Sequence, residues 1–171
     1  MPGLENYLAL LARVDEMCSQ TAALFESQIS CRPGCDSCCR HLSIFAVEAA
    51  ALQQALCSLP PQDAELIRQA AALSAPDGPC PLLQGGLCLL YQARPIICRT
   101  HGLPLLVNRD GASGVDFCPE NFRDAPNIPG SAVIDLDRLN AILATINALY
   151  LRSFPGPERL TLAEALLRQS D

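Results

Sequence analysis

The sequence contains no lysine, and all twelve of its basic residues are arginine. A Schiff-base lysine and a Walker A lysine are therefore both excluded, and with them two common kinds of enzyme site. Histidine is almost as scarce, because His41 and His101 are the only two. Conventional acid–base catalysis consequently has few side chains available.

A membrane-spanning run and a basic leader are also missing. No uncharged stretch is long enough to cross a bilayer, and the first residues lack the positive charges that open a signal peptide. Glu5, Asp15 and Glu16 suit a helix in water better. We therefore expect no membrane association and a cytoplasmic location. In that reducing compartment clustered cysteines indicate metal or redox chemistry more often than disulfides.

Clustered positive charge is absent as well. The formal net charge is -6, while 18% of the residues are charged and 50% are hydrophobic. This balance is typical of a globular chain, and it argues against nucleic acid as a partner, because nucleic-acid binding needs a basic surface. The 171 residues suit a single domain spanning 1–171, with a cysteine-rich region at 31–121 between flanking helices at 1–30 and 131–171.

Apolar periodicity predicts a mainly α fold, in which helices pack around a turn-rich middle. The first helix should run over residues 4 to about 30 and the next two over 43–58 and 63–74. A fourth should begin at Asp135 or Asp137 and run to Tyr150. A short last helix should follow the capping box at 161–164. The first helix is expected to bury one apolar stripe: Leu4, Leu8, Leu11, Val14, Cys18, Ala22, Phe25 and Ile29. The third is expected to bury Leu66, Ala70 and Leu73.

The middle of the chain is rich in turn-forming residues. Eight of the 14 prolines and seven of the 10 glycines fall within residues 76–130. Gly85-Gly86 predicts the turn of a small hairpin, and a second hairpin is expected from strands at 103–107 and 115–117 around a loop at 108–114. Such a region buries little apolar surface by itself, so it needs cross-links to be stable, and a metal site can provide them.

Cysteine is abundant, and its distribution is the strongest functional signal in the sequence. Four of the ten cysteines lie within nine residues, and four more follow in the turn-rich middle. A loop can deliver several soft thiolate ligands to one metal at little entropic cost, whereas a packed core has no need of such a cluster. The eight predicted metal ligands are Cys31, Cys35, Cys38, Cys39, Cys80, Cys88, Cys98 and Cys118.

The other two cysteines are set aside. Cys18 lies on the apolar stripe of the first helix, where it is expected to pack in the core, and Cys57 falls near the end of the second helix. The eight that remain fit two tetrahedral four-sulfur sites, or one cluster with spare thiols. Side chains of adjacent residues diverge, so one tetrahedral ion rarely takes both Cys38 and Cys39. The pair therefore suggests two centres side by side or a polynuclear cluster.

Arginine and histidine side chains lie near the cysteines in the sequence and could stabilise thiolates or bind metal. Nearby cations stabilise thiolates, and Arg94 and Arg99 bracket Cys98, while Arg32 and Arg40 flank the first cluster. The two histidines could ligate metal, but eight thiols make that the weaker interpretation.

Other readings of the cysteines have specific difficulties. A disulfide framework conflicts with the expected reducing compartment and with the adjacent pair Cys38-Cys39, which cannot close a relaxed disulfide. A thioredoxin-like dithiol at Cys35 and Cys38 needs a strand before it, yet a long helix is predicted there. The spacing of Cys31, Cys35 and Cys38 also matches the cluster loop of radical S-adenosylmethionine enzymes, but those need a larger barrel than this chain can form.

The ordered cysteine pattern resembles that of the YkgJ-like cysteine-cluster family, whose signature is CxxCxxCC. The run from Cys31 to Cys39 carries the first block, with three residues rather than two between Cys31 and Cys35. The second block comprises Cys80-Pro81-Leu82, 88–91, 94–99 and Cys118. The resemblance covers about residues 31–121, and it implies zinc or iron chelation by these eight cysteines.

The sequence therefore predicts a metal-binding protein that uses eight cysteines to hold zinc or an iron–sulfur cluster. A similar cysteine domain occurs in a flagellin lysine methylase in which an iron–sulfur cluster is implicated, so an iron–sulfur redox or protein-modifying enzyme stays open as an alternative. No S-adenosylmethionine-binding glycine loop is evident. A metal-free thiol redox sensor is the other alternative. The sequence identifies no substrate, protein partner or oligomeric state.

Overall fold

The chain folds mainly into α-helices, as a computed structural model shows. The structure describes residues 3–109, 111–123 and 127–168. Within them, six α-helices are accompanied by short strands in three small sheets. The prediction of a mainly α fold is therefore confirmed. None of the helices formed by the described residues has both the length and the apolar character needed to cross a bilayer.

Helix α1 spans Glu5–Leu24 and a 3-10 turn follows at Glu26–Gln28, so the helix ends earlier than predicted. It buries Leu4, Tyr7, Val14 and Thr21. Leu8 is 50% exposed, and its predicted burial is wrong. The error arises because two overlapping rows of apolar residues run along α1, and tertiary packing selects the row that contains Tyr7.

The second helix, α2, spans Ala46–Cys57, and the three residues before it form a strand rather than the predicted first helical turn. This strand, β1 (Ser43–Phe45), pairs antiparallel with β7 (Arg159–Thr161). The pairing brings together segments more than a hundred residues apart, which local periodicity does not encode. The short helix α6 (Leu162–Leu167) follows β7 and begins with the predicted capping box, in which the Thr161 hydroxyl accepts a hydrogen bond from the Glu164 N–H.

Helix α3 spans Pro61–Ala72, close to the predicted range, but it buries a different face. Ala64, Ile67 and Ala71 are buried, whereas Leu66 is 58% and Leu73 is 88% exposed. The two alanines let α3 lie close to α6, and shape therefore decides the packing face here more than side-chain hydrophobicity does.

Both predicted hairpins are present. Strands β2 (Leu83–Gln84) and β3 (Leu87–Cys88) are joined by Gly85-Gly86, and both glycines have positive φ, as the turn of a tight hairpin requires. Strand β4 (Leu105–Arg109) is shifted by two residues from its predicted range, strand β5 (Ala112–Asp116) is longer than predicted, and only residues 110 and 111 separate them. Ile134–Asp135, strand β6, adds to β4 in parallel, which was not predicted.

Helix α4 (Ile96–Thr100) follows Pro95 and was not predicted, because five residues carry no periodicity. Helix α5 spans Leu136–Ser153, and the predicted cap at Asp135 is confirmed, since its carboxylate accepts a hydrogen bond from the Arg138 N–H.

Two clusters of buried apolar side chains form the core, and the turn-rich middle contributes to both. The first is built by α2, α3 and α6 together with Leu82 and Leu90. The second is built by α1 and α5 together with Ile96, Leu103 and Phe122. The expectation that the middle buries little apolar surface is therefore too strong, and the cysteine-bearing segments are anchored by both cores.

Candidate metal centre

Two consecutive turns shape the loop that carries the first four cysteines. Pro33 and Gly34 occupy the centre of a turn closed by a 2.9 Å hydrogen bond from the Cys35 N–H to the Arg32 carbonyl oxygen. Gly34 has φ +91°, so this is the proline–glycine turn in which the second central residue needs positive φ. A second turn is closed by a 2.8 Å hydrogen bond from the Cys39 N–H to the Asp36 carbonyl oxygen. Two turns, and not a helix, therefore carry the cysteines.

The loop does not stand alone, because its tip lies against the β2–β3 hairpin. The Gly34 N–H donates to the Gly86 carbonyl oxygen at 3.3 Å. A Cβ atom on Gly86 would lie 3.1 Å from the Gly34 Cα, so the two glycines permit a close backbone approach. Beyond the loop, the Cys80 N–H donates to the Cys39 carbonyl oxygen at 3.2 Å. These contacts bring cysteines from distant parts of the chain to one region.

Four of the eight cysteines form what we call the outer group: Cys31, Cys35, Cys38 and Cys118. The pKa of the Cys35 thiol is raised by loss of hydration and by the neighbouring thiols of Cys31, Cys38 and Cys118. The Asp36 carboxylate also raises the pKa of Cys35, so every neighbouring group named here opposes its ionisation. Once deprotonated, four such groups would repel one another unless a cation lay between them.

Gly102 lies between the distant members of the outer group. It is buried and has φ +88°. A Cβ atom there would lie 3.4 Å from the Cys118 Cβ and 3.5 Å from the Cys31 Sγ. The Cys118 N–H also donates to the Gly102 carbonyl oxygen at 3.4 Å. Glycine therefore allows the segment after α4 to pass close to both cysteines.

Asn121 holds the same segments together and was missed by the sequence analysis. It is 1% exposed. Its Oδ1 accepts a 2.9 Å hydrogen bond from the Ser30 N–H, and its Nδ2 donates to the Gly102 carbonyl oxygen at 2.8 Å and to the Cys31 Sγ at 3.5 Å. One buried amide therefore joins the chain before the cluster, the segment after α4 and a cysteine sulfur. Its position three residues after Cys118 is the only hint in the sequence.

The remaining four cysteines form the inner group: Cys39, Cys80, Cys88 and Cys98. Burial, followed by the thiols of Cys80, Cys88 and Cys39, raises the pKa of Cys98 to about 12. Burial and the neighbouring thiols of Cys38, Cys80 and Cys88 raise the pKa of Cys39 to about 11. Each of these thiols is therefore protonated at neutral pH without a cation, and a bound metal would have to displace the proton.

Backbone N–H groups point at two sulfurs of the inner group. The pKa of Cys80 is raised by burial, with a partly offsetting hydrogen bond from the Leu82 backbone, and Cys88 has the same relation to the Leu90 backbone. In each case the backbone group that donates lies two positions after the cysteine in the chain. Hydrogen bonds of this kind stabilise metal-bound thiolates and orient them.

Cys98 reaches the inner group through α4, and Glu48 holds the start of that helix. The Glu48 carboxylate accepts hydrogen bonds from the Ile96 N–H at 3.0 Å and from the Phe45 N–H at 3.1 Å. Glu48 is 4% exposed, and burial raises its pKa while the two N–H donors oppose that shift. This buried carboxylate links α2 to α4, a role that its place near the start of α2 did not reveal.

The arginines near Cys98 have different roles. Arg99 forms an ion pair with Asp15 of α1, at 2.7 Å, and also donates to the Arg94 carbonyl oxygen, so its guanidinium holds α4 against α1. Arg94 lies over the Tyr91 ring, with 3.5 Å between its Cζ and the ring centroid. Its charge lowers the pKa of Cys88, which burial raises. Arg94 is therefore the cation that acts on the inner group.

His41 is committed to the backbone. Its Nδ1 lies 2.8 Å from the Ala75 carbonyl oxygen, and its Nε2 accepts a hydrogen bond from the Ala163 N–H at 3.2 Å. Both ring nitrogens therefore have partners, and the ring joins the cluster loop to α6. His101 is exposed at the end of α4.

The two cysteines set aside lie in neither group. Cys18 is half-buried on α1 and its Sγ donates to the Arg99 carbonyl oxygen at 3.6 Å. Burial, and then the charge of Asp15, raise its pKa to about 11. Cys57 is exposed at the end of α2.

Neither group is drawn together as tightly as a bound ion would hold it. Among the residues that the structure describes, no three His, Cys, Asp or Glu side chains are arranged to hold a metal ion. The donor set nevertheless fits a metal, since each group offers four soft thiol donors and sulfurs in both groups face N–H donors.

A known protein family matches the cysteine-rich part of the chain. The family model CxxCxxCC, described as "Putative zinc- or iron-chelating domain", matches residues 30–118, which include all eight cysteines of the two groups. No curated protein and no solved structure matches the chain.

Proposed function

The chain belongs to the CxxCxxCC family of zinc- or iron-chelating domains, and from that premise we propose that it binds metal at two neighbouring four-cysteine centres. The outer group supplies the ligands of one centre and the inner group those of the other. Each centre holds either zinc or iron, the latter in an iron–sulfur cluster. The cytoplasmic location expected from the sequence is part of this proposal.

The observation that carries the proposal is that the adjacent cysteines Cys38 and Cys39 have different further neighbours. The thiol of Cys38 acts on Cys35 in the outer group, while Cys39, which also contacts Cys38, lies near Cys80 and Cys88 and accepts the Cys80 N–H at its carbonyl oxygen. Adjacent side chains diverge, so each serves a different metal more readily than both serve one. The result is two sets of four donors, the number that a structural zinc ion or a cubane cluster takes from cysteine.

The surroundings of the sulfurs also support two centres. Asn121 donates to the Cys31 Sγ in the outer group, and the backbones of Leu82 and Leu90 donate to sulfurs of the inner group. Thiolates bound to metal carry more negative charge than free thiols, so these donors gain strength on metal binding. The same donors offer less to a disulfide, whose sulfurs are uncharged.

The decisive measurement is the amount and identity of metal bound by protein purified without oxygen. Elemental analysis and acid-labile sulfide together distinguish zinc from an iron–sulfur cluster. We expect Cys35→Ser and Cys88→Ser each to remove about half of the bound metal, because each destroys one tetrahedral set of four ligands. Cys57→Ser is the control, since Cys57 lies in neither group, and it should retain all of the metal.

Three results would contradict this proposal. If the purified protein contains no bound metal, the cysteines have another role, such as thiol redox sensing. If Cys35→Ser and Cys88→Ser each removed all of the metal while circular dichroism still showed a helical fold, one shared centre would be indicated. Full metal retention in both variants would exclude these cysteines as ligands.

A further inference from the structure

The two groups differ in their access to solvent. In the outer group Cys31, Cys35 and Cys38 are exposed, and only Cys118 is half-buried. All four members of the inner group are half-buried. A metal held by the outer group would therefore meet solvent on one side, whereas a metal held by the inner group would be enclosed.

A surface depression borders the outer group and is large enough for a small ligand. Its volume is about 410 Å³. It is lined by Ser30, Arg32, Pro33, Gly34, Cys35 and Glu120. The outer sulfur Cys35 therefore faces an open space from which a competing ligand can approach.

A positive charge at this depression favours binding of an anionic ligand. Glu120 forms an ion pair with Arg123, which offsets its negative charge. Arg32, next to Cys31 in the sequence, is exposed and lines the depression. An exposed guanidinium attracts thiolates and other anions, although salt screens the effect.

The inner group is set against the packed core. Cys80 and Cys88 pack against the first core cluster. Cys98 lies in α4, whose preceding and leading residues are buried and whose Ile96 N–H is held by Glu48. Freeing a metal from these ligands would require the hairpin or α4 to leave the core, which is a sub-global opening and not a side-chain rotation.

From this asymmetry we propose that the outer centre exchanges its metal with thiolate ligands from solution, while the inner centre keeps its metal as a structural element. The proposal rests on the two-centre function proposed above. In the exchange, an incoming thiolate forms a bond to the metal as the bond from one outer cysteine breaks. The released cysteine thiolate then takes a proton from solvent, and no electron is transferred. The occupant of the depression is therefore a small thiol or a flexible cysteine-containing peptide.

The test measures how fast metal leaves the anaerobically purified protein. The protein is incubated with dithiothreitol as the attacking thiol and EDTA as the chelator that retains released metal, and the metal that passes a filter is measured over time. We expect half of the bound metal to leave in a fast phase whose rate rises with dithiothreitol concentration. The other half should leave at least about tenfold more slowly, because its release waits for the packed hairpin or α4 to open. Circular dichroism should remain unchanged during the fast phase.

Variants identify the source of each phase. Cys35→Ser should lose the fast phase and keep the slow one, and Cys57→Ser should keep both. Release of all the metal in one phase, or a fast phase that survives in Cys35→Ser, would overturn the exchange proposal while leaving two bound metals in place. Protein that binds no metal at all would overturn the two-centre function as well, so the two failures are distinguishable.

Discussion

Gly102 lies at a position where the outer group leaves little room for a side chain. Its φ is +88°, and a Cβ atom there would approach the Asn121 Nδ2 to 3.2 Å and the Cys118 Cβ to 3.4 Å. A non-glycine residue at this φ costs about 1–2 kcal/mol in backbone strain alone. Crowding adds to that cost only where the neighbours are fixed, and Asn121 is fixed by its hydrogen bonds.

We therefore expect Gly102→Ala to lower the free energy of unfolding by about 2–4 kcal/mol, from strain and overpacking together. The matched control is Gly111→Ala, where φ is +81° but nothing lies within 4 Å of the new Cβ. That variant should lose only the strain energy, about 1–2 kcal/mol. Denaturant unfolding of both metal-free variants measures the difference, and equal losses would show that Gly102 is not crowded.

At this scale the sequence predicts eight cysteine ligands, which stay a prediction, but it does not mark the residues that hold them. Cys18 is set aside because it lies on the apolar stripe of the first helix and Cys57 because it lies near the end of the second, and the adjacency of Cys38 and Cys39 suggests two centres. Asn121 and Glu48 could not be recognised, because a buried amide or carboxylate takes its role from backbone groups that are distant in sequence. No local pattern marks such a residue before the fold brings its partners together.

Among the elements, the short helix α4 depends on a single side chain from α2. Glu48 accepts hydrogen bonds from the Ile96 and Phe45 N–H groups, and all three residues are buried. Removing the carboxylate would leave two buried donors without partners. Each unsatisfied buried donor costs about 1–3 kcal/mol.

We expect Glu48→Ala to lower the free energy of unfolding by about 2–5 kcal/mol, which is the cost of two orphaned donors less the desolvation energy that the carboxylate no longer incurs. Because Cys98 lies in α4, the variant should also lose metal from the inner group before the outer one. Glu65→Ala, at an exposed position of α3, is the control. Denaturant unfolding and metal analysis measure the two effects. If the variant keeps both its fold and its metal content, the position of α4 does not determine metal binding at the inner centre.

Elements set by local chemistry could be predicted, and elements set by long-range pairing could not. The Pro33-Gly34 and Gly85-Gly86 turns, the Asp135 cap and the Thr161–Glu164 capping box all follow from residues a few positions apart. The β1–β7 and β4–β6 pairings join distant segments, and the buried face of α3 depends on how closely α6 approaches. Neither kind of information is present in a short window of sequence.

In the whole molecule, apolar packing anchors the turn-rich middle to both cores. Leu82 and Leu90 insert into the first core, while Ile96, Leu103 and Phe122 insert into the second. The segments between these anchors are short strands and turns, which have little stability of their own. Metal ligation at the cysteines between the anchors would therefore order local structure more than it would create the fold.

Removal of metal should accordingly loosen one region and spare another. After treatment with EDTA we expect amides of the cluster loop (31–42) and of the β2–β3 hairpin (83–88) to exchange hydrogen at least about tenfold faster, since local opening no longer has to break metal–thiolate bonds. Amides of α1 and α5 should keep their protection, because the core cluster that these helices build contains no cysteine of either group. Hydrogen exchange read by mass spectrometry, with Cys57→Ser as control, measures both regions. Equal acceleration throughout would mean that the cores cannot stand without metal, and no acceleration anywhere would mean that the cysteines hold no metal that stabilises the loop.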